Sequence, residues 1–375
     1  MRILTVNAGS ASLKLALFDV QGEQWLRLKY VNRAAKMDEY AGIMADAVAE
    51  FAGAVDAVVH RFVHGGTQFS RPVVISAQVE VALGSLASLA PLHNPPALQG
   101  IRIVRELLGA AVTHIAVFDT AFFADLPAVA ITYALPKTLS AQFGLRRFGF
   151  HGIAHEARWR RWSELGGDSL PTSRVISLHL GGGCSAAAIL GGKAQDSSMG
   201  FSPLDGLVMA TRSGDIDASA LMHVLKSGQY SVDELERLLN KESGLLGLSA
   251  HSGDMRALLD SERQEDQFAI DVFIFRVRKY IGAYAAVLGG LDAILIGGGI
   301  GEFQPSVRAR IFENMAWLGI EFDPPKNARV VNGEATLSAE GSAVSVWLIP
   351  TDEERALAER AVQLMLLIQD GDQYD

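Results

Sequence analysis

Cysteine is almost missing from this sequence. Cys184 is the single one in 375 residues, which excludes an internal disulfide and a cysteine-built zinc site and predicts a reducing, cytoplasmic setting. Basic charge is also short: 33 Lys and Arg against 42 Asp and Glu give a net charge of −9. No basic face is then expected to displace counterions, so a nucleic-acid partner is not predicted. Long apolar runs are lacking. Residues 178–190 and 294–300 are broken by glycine or polar residues well short of the roughly 18 that a membrane span needs, and no membrane partner is predicted. The opening Met1-Arg2-Ile3-Leu4-Thr5-Val6 reads as a strand and lacks the regions of a secretion signal. Two nucleotide fingerprints are missing as well: there is no GxxxxGK(S/T), and Gly297-Gly298-Gly299-Ile300-Gly301 lacks the GxGxxG spacing. In so acidic a chain, an anion site must be built locally from a few Arg, Lys or backbone N–H groups.

What is present is 49% apolar composition, enough for more than one core, and a length that predicts two domains. Residues 3–6 read as a strand, Asn7-Ala8-Gly9-Ser10-Ala11-Ser12 as a small-residue turn, and residues 13–18 as a returning strand, with Leu13, Leu15 and Leu17 alternating with Lys14, Ala16 and Phe18. The same design returns where residues 175–180 enter Gly181-Gly182-Gly183-Cys184-Ser185 and residues 186–190 leave. Two such hairpins suggest a duplicated fold. The third glycine loop, 297–301, follows the apolar residues 293–296 and precedes a predicted helix over 306–318, with Val307, Ile311, Met315 and Leu318 at helical spacing. Ser231-Val232-Asp233-Glu234 reads as a capping box, and Leu357, Ala361, Leu364, Met365 and Ile368 predict a closing helix.

Small residues after a strand let backbone N–H groups approach phosphate oxygens, although any one such turn is more often only a turn. Specificity comes from fuller motifs. Asn7-Ala8-Gly9-Ser10-Ala11-Ser12-Leu13-Lys14 resembles the NAGSSSLK opening of the acetate kinase family. His60-Arg61-Phe62-Val63-His64-Gly65-Gly66, Pro91-Leu92-His93-Asn94-Pro95, Phe118-Asp119-Thr120-Ala121-Phe122 and Phe148-Gly149-Phe150-His151-Gly152 follow in family order. Ser198-Met199-Gly200-Phe201-Ser202-Pro203-Leu204, Thr211-Arg212-Ser213-Gly214-Asp215, Ser252-Gly253-Asp254-Met255-Arg256 and Pro350-Thr351-Asp352-Glu353-Glu354 complete the set.

The resemblance implies an α/β, duplicated actin-like (ribonuclease H-like) two-domain fold with the active site in the interdomain cleft. Residues 1–122 plus 355–375 would form the N-terminal domain, and 123–354 the C-terminal one. It implies reversible phosphoryl transfer between ATP and acetate, with ADP as product, Mg²⁺ or Mn²⁺ as metal, and a homodimer. Catalytic roles are implied for Arg61, Asp119, His151 and Arg212, and acetate contacts for Arg61, Val63, Leu92, His93, Phe150 and Pro203. Nucleotide contacts are implied for Ser10, Ser12, Lys14, His179, Leu180, Gly181, Gly182, Gly183, Asp254, Met255, Arg256, Gly298, Gly299, Ile300, Gly301 and Glu302. Asn7 and Glu353 would hold the metal. The pairs His60/His64 and His151/His155, at i,i+4, show no HExxH pattern or third ligand and are not read as metal sites.

Four positions differ from the family pattern. Gly182 stands where the phosphate loop usually has Asn, Phe303 where GGIGEN ends in Asn, Phe123 where FDTAFH ends in His, and Asp352 where PTNEE has Asn. Gly182 and Phe303 leave GTP and pyrophosphate open as donors. A propionate preference, a non-catalytic nucleotide-binding relative and a sugar kinase are the competing readings. A sugar kinase would use a carboxylate base on a hydroxyl, whereas an arginine-rich set suits an acid substrate.

Overall fold

A computed structural model of the chain describes residues 1–9, 12–50, 55–91, 93–109, 111–167 and 171–370. Ser10 and Leu92, expected at the nucleotide and the acetate, lie outside the described residues. The chain divides into two compact units: Met1–Ala124, Gly152–Ala154 and Asp352–Asp375 in the first, Asp125–His151 and His155–Thr351 in the second.

The first unit is built on a six-stranded sheet of β1 (Arg2–Ala8), β2 (Ser12–Gln21), β3 (Gln24–Ala34), β4 (Ala57–Phe62), β5 (Val73–Val74) and β6 (Thr113–Phe118), in the order β3-β2-β1-β4-β6-β5. β1 pairs antiparallel with β2, and β1, β4 and β6 run parallel. β1 is buried on both faces from Ile3 onward, as a central strand with helices on either side must be. Leu4, Val6 and Ala8 join Tyr40, Met44 and Val104 in one core cluster. The opposite pleat carries Thr5 and Asn7. β3 is an edge strand, mostly exposed and bearing Arg27, Lys29 and Arg33, which discourages pairing with another chain. The Tyr40 hydroxyl donates to the Gly9 carbonyl and so ties the helix Tyr40–Glu50 to the tip of the β1–β2 hairpin.

The second unit repeats the plan. β7 (Arg174–Leu180), β8 (Cys184–Leu190), β9 (Lys193–Ser197), β10 (Ala293–Gly297), β11 (Ala335–Thr336) and β12 (Ser345–Leu348) lie in the order β11-β12-β10-β7-β8-β9. Read from the other edge, this is the first sheet strand for strand. β7 pairs antiparallel with β8, while β7, β10 and β12 run parallel. This is a duplicated actin-like fold. The helix Gln264–Leu288 covers β7, β8 and β9 with Ile270, Phe273, Ile274, Val277 and Ile281 buried. Ala186, Ala187 and Ala188 of β8 are wholly buried; their small side chains let elements pack closely on both faces.

The helix expected over 306–318 is shorter. It runs Pro305–Phe312, Asn314 takes a left-handed conformation (φ 59°), and a separate 3₁₀ turn covers Ala316–Leu318. Val307, Ile311 and Met315 are buried all the same, so apolar spacing reported burial beyond the true helix end. The loop at 297–301 is likewise already helical from Gly299. The capping box forms at Ser231, whose hydroxyl accepts from Glu234 N–H while the Glu234 carboxylate accepts from Ser231 N–H.

Candidate active site

In the first unit, Asn7, Arg61 and Asp119 stand at or just past the carboxyl ends of β1, β4 and β6, the end where open α/β sheets bind ligands. Glu353 opens the helix Glu353–Gln369. Arg61 gathers all three. Its Nε donates to Asp119 Oδ1 at 3.0 Å and its Nη2 to Asp119 Oδ2 at 2.7 Å, a bidentate fork. Nη1 reaches Asn7 Oδ1 and Glu353 Oε2, each at 3.3 Å. Among the described residues one Nη2 hydrogen meets no acceptor, which leaves it for a substrate oxygen. Burial would pull the Arg61 pKa down, but Asp119 and Glu353 outweigh it and hold it raised. Burial lifts Asp119 above the ordinary carboxyl range against the pull of Arg61. Lys14 is the cross-strand partner of Asn7 and lies 3.8 Å from Glu354; Ser12 begins β2.

Asn94 shapes the loop after β4. It is fully buried, and its side chain accepts from His64 N–H at 3.3 Å and donates to His64 C=O at 3.0 Å. His93 directly precedes it, and Val63 is half-buried in the held loop. The Gly152 N–H donates to the Asp119 carbonyl at 3.0 Å. A Cβ at Gly152 would strike that carbonyl, so only glycine fits there.

Asn7 and Glu353 present two hard oxygens. Among the described residues no group of three or more His, Cys, Asp or Glu could hold a metal. Two protein oxygens nonetheless suit Mg²⁺, which keeps several waters and takes its other ligands from phosphates; they would be too few for zinc. His60 Nε2 lies 2.9 Å from His114 Nδ1 with the two rings stacked.

In the second unit, Phe150 is buried and His151 takes a left-handed backbone (φ 58°) at the start of the helix Gly152–Glu164. Such conformations cost about 1–3 kcal/mol and persist where surroundings enforce them. The rings of His151 and His179 are 4.6 Å apart. A Cβ at Gly183 would come 2.7 Å from Arg212 Nη2 and 3.2 Å from the His151 ring, so loop, guanidinium and imidazole converge on one point. Arg212 Nη1 donates to the Pro203 carbonyl at 2.6 Å. Among the described residues no carboxylate pairs with Arg212, and burial pulls its pKa below the usual value.

Beside this point lies a cavity of about 400 Å³ lined by Gly181, Gly182, Gly253, Asp254, Met255, Arg256, Gly299, Ile300, Phe303 and Gln304. Seven of these were expected at the nucleotide. Asp254 caps the helix Met255–Leu259 and is gripped by Arg256 through Nε at 3.3 Å and Nη2 at 2.9 Å. Gly298, Gly301 and Glu302 do not line the cavity. Glu302 turns back to accept from Gly298 N–H at 2.8 Å, and Arg308 Nη1 holds the Gly301 and Glu302 carbonyls. A Cβ at Gly298 (φ 82°) would come 2.7 Å from the Leu180 carbonyl oxygen, which requires glycine there. Gly253, inside the 252–256 motif, and Gln304, next to Phe303, also line the cavity although neither is among the expected nucleotide contacts.

The Acetokinase family model matches residues 29–359. The chain belongs to the acetokinase family. It is 41% identical to the acetate kinase of Leifsonia xyli subsp. xyli over 96% of this chain and 98% of that one. Its structure is similar to that of Porphyromonas gingivalis acetate kinase, with TM-score 0.88 at 33% identity, covering 97% of this chain and 99% of the other. A propionate kinase from Francisella tularensis subsp. tularensis gives TM-score 0.86 at 32% identity over 96% and 98%. Membership in this family accounts for strand-for-strand duplication and for motifs placed at the carboxyl ends of both sheets. Among the described residues no helix is long and apolar enough to cross a membrane.

Proposed function

We propose that the chain catalyses reversible phosphoryl transfer between ATP and acetate, giving acetyl phosphate and ADP by direct in-line displacement. The observation that carries this reading is Arg212, a cation without a carboxylate partner among the described residues, set against a glycine turn and His151. A carboxylic acid with a pKa near 4–5 is ionised at neutral pH, so the reaction needs no general base. Its difficulty is the approach of two anions, which catalysis meets by positioning and charge neutralisation. Arg212 and His151 would donate to the equatorial oxygens of the transferring group. Arg61 would receive the acetate carboxylate through its remaining Nη2 hydrogen, and Asp119, gripping the Nε–Nη2 edge of the fork, would set its plane. Mg²⁺, when held by Asn7 and Glu353, supplies charge neutralisation at the phosphates.

Gly181, Gly182 and Gly183, with His179 and Leu180, would cradle the phosphates, joined by Ser10, Ser12 and Lys14. The cavity of Asp254, Met255, Arg256, Gly299, Ile300 and Phe303 would take the nucleoside. Val63, Leu92, His93, Phe150 and Pro203 would enclose the methyl group. One methylene in such a pocket changes affinity by about 1–3 kcal/mol, so propionate is a weaker substrate. The likeness to a propionate kinase supports testing it. We place the enzyme in the cytoplasm as a homodimer. The helix Ala218–Lys226 buries no residue and exposes Met222, and Phe268 and Phe275 stand exposed seven residues apart on the helix Gln264–Leu288; a second copy would cover them.

Trapping acyl phosphate as hydroxamate, with acetate, propionate and butyrate each against ATP, GTP and pyrophosphate, tests the proposal. Acetate with ATP should give the largest kcat/KM, and no hydroxamate in any combination would reject it.

A further inference from the structure

Behind His151 four side chains form one hydrogen-bonded line. Arg158 Nη1 donates to Ser177 Oγ at 3.0 Å, and Ser177 Oγ lies 2.9 Å from His155 Nδ1. His155 Nε2 lies 2.8 Å from Ser185 Oγ, which lies 2.9 Å from His151 Nδ1. His151, His155 and Arg158 share one face of the helix Gly152–Glu164. Ser177 on β7 and Ser185 on β8 share one face of the sheet, since Ser177 pairs with Ala187 and Ser185 with His179. Arg158, Ser177, His155 and Ser185 are each 0% exposed, so bulk water reaches none of them.

The line has a direction because its far end can only donate. A guanidinium stays protonated and carries no acceptor. Ser177 Oγ therefore accepts from Arg158, and its own hydrogen must go elsewhere. Arg158 and His155 are its side-chain partners. Were the His155 proton on Nδ1, the Ser177 hydroxyl hydrogen would be buried without an acceptor among the described residues, at about 1–3 kcal/mol. His155 Nδ1 thus accepts. Burial, with the charge of Arg158, holds the His155 pKa well below its ordinary value, so the ring is neutral with its one proton on Nε2. That proton goes to Ser185 Oγ, and the Ser185 hydroxyl has His151 Nδ1 to donate to. The His151 proton is left on Nε2, the atom that a Cβ at Gly183 would approach to 3.3 Å beside Arg212 Nη2.

We infer that Arg158, Ser177, His155 and Ser185 are positioning residues that lock His151 as its Nε2–H tautomer, so that it presents a hydrogen-bond donor toward the Gly183 turn without having to be charged. The catalytic part of this inference rests on the proposed role of His151 at the transferring phosphoryl group; the tautomer itself does not.

Full-length protein labelled with ¹⁵N-histidine, studied by multiple-bond ¹H–¹⁵N correlation and assigned with His151→Gln and His155→Gln, reports the tautomers without substrate. Both rings should show Nε2 protonated and Nδ1 bare. Ser177→Ala should move both rings toward a tautomer mixture and lower kcat roughly tenfold with KM for acetate and ATP within about twofold, as expected for misaimed rather than lost binding. Ser177→Thr should restore both. A melting curve checks that Ser177→Ala folds; Ser185→Ala, which cuts the line next to His151, gives the same readouts if it does not. Protonated Nδ1 on His151 in the unsubstituted protein, or an unchanged His151 pattern and kcat in a folded Ser177→Ala or Ser185→Ala protein, would overturn the relay. Correct tautomers in a protein that forms no hydroxamate would leave the relay standing and reject the phosphoryl-transfer reading instead.

Discussion

Gly183→Ala adds one methyl group where Arg212, His151 and the 181–183 glycine turn meet. The new Cβ would lie 2.7 Å from Arg212 Nη2 and 3.2–3.3 Å from Cε1 and Nε2 of His151. An ordinary contact begins at 3.4 Å, so the guanidinium must retreat by about 0.7 Å while its Nη1 is fastened to the Pro203 carbonyl. The displaced atom is the end of a long side chain, and φ at Gly183 is not in the left-handed range; folding stability should change by less than about 1 kcal/mol. Catalysis is less tolerant. A misplacement approaching 1 Å costs up to about 100-fold in rate, so kcat for acetate with ATP should fall roughly 10–100-fold, or about 1.4–2.7 kcal/mol of barrier. Gly282→Ala, on the helix Gln264–Leu288, is the control, because its Cβ would meet nothing within 4 Å. Steady-state hydroxamate assays and thermal melts on the two variants decide the matter. Wild-type kcat in Gly183→Ala, or an equal loss in both variants, would refute the convergence of Arg212 and His151 on the turn.

Phe303 is 46% exposed on the wall of the 400 Å³ cavity, and an aromatic face stacks on any purine. Phe303→Asn should therefore raise KM for ATP and for GTP alike by about tenfold, the scale of one lost base stack; an unchanged KM for both would mean that the ring does not touch the base. Burial, with Asp215 beside it, pushes the Asp205 carboxyl up to about 6 from 3.8. The folded state then binds more protons than the unfolded one across that window, and stability falls as pH rises through it. Melting temperatures of wild type and Asp205→Asn should coincide near pH 4, with the variant higher at pH 7.5; a lower variant there contradicts the assignment. His64 and His114 behave oppositely, since burial holds both near 4 against an ordinary 6.5. Their unfolded forms take up the extra protons, so stability present above pH 6.5 is lost as pH falls toward 4, by up to about 3 kcal/mol for each ring. A denaturation midpoint that stays flat between pH 7 and 5 would show that these rings are not held neutral.

The sequence by itself determined the parts that are local. Consecutive small residues after an apolar strand mark a tight turn, so Gly181-Gly182-Gly183 between β7 and β8 could be read from chain neighbours alone. The buried central strands announced themselves as continuous apolar runs, and their repetition announced the duplication. The same reasoning overran the helix at Phe312, because apolar spacing records burial while Asn314 and the backbone geometry end the helix. Tertiary structure decided who partners whom. Arg61 meets Asp119 only because β4 and β6 are neighbours, joining residues 58 apart, and it meets Glu353 across 292 residues. Glu302, inside a nucleotide motif, turns away to cap its own loop. Arg158 looks like any helical arginine in the sequence; folding buries it at the head of a line of serine and histidine that ends on His151. Hydrogen-bond partners are set by strand order and helix placement, and those depend on the packing of residues far apart in the chain.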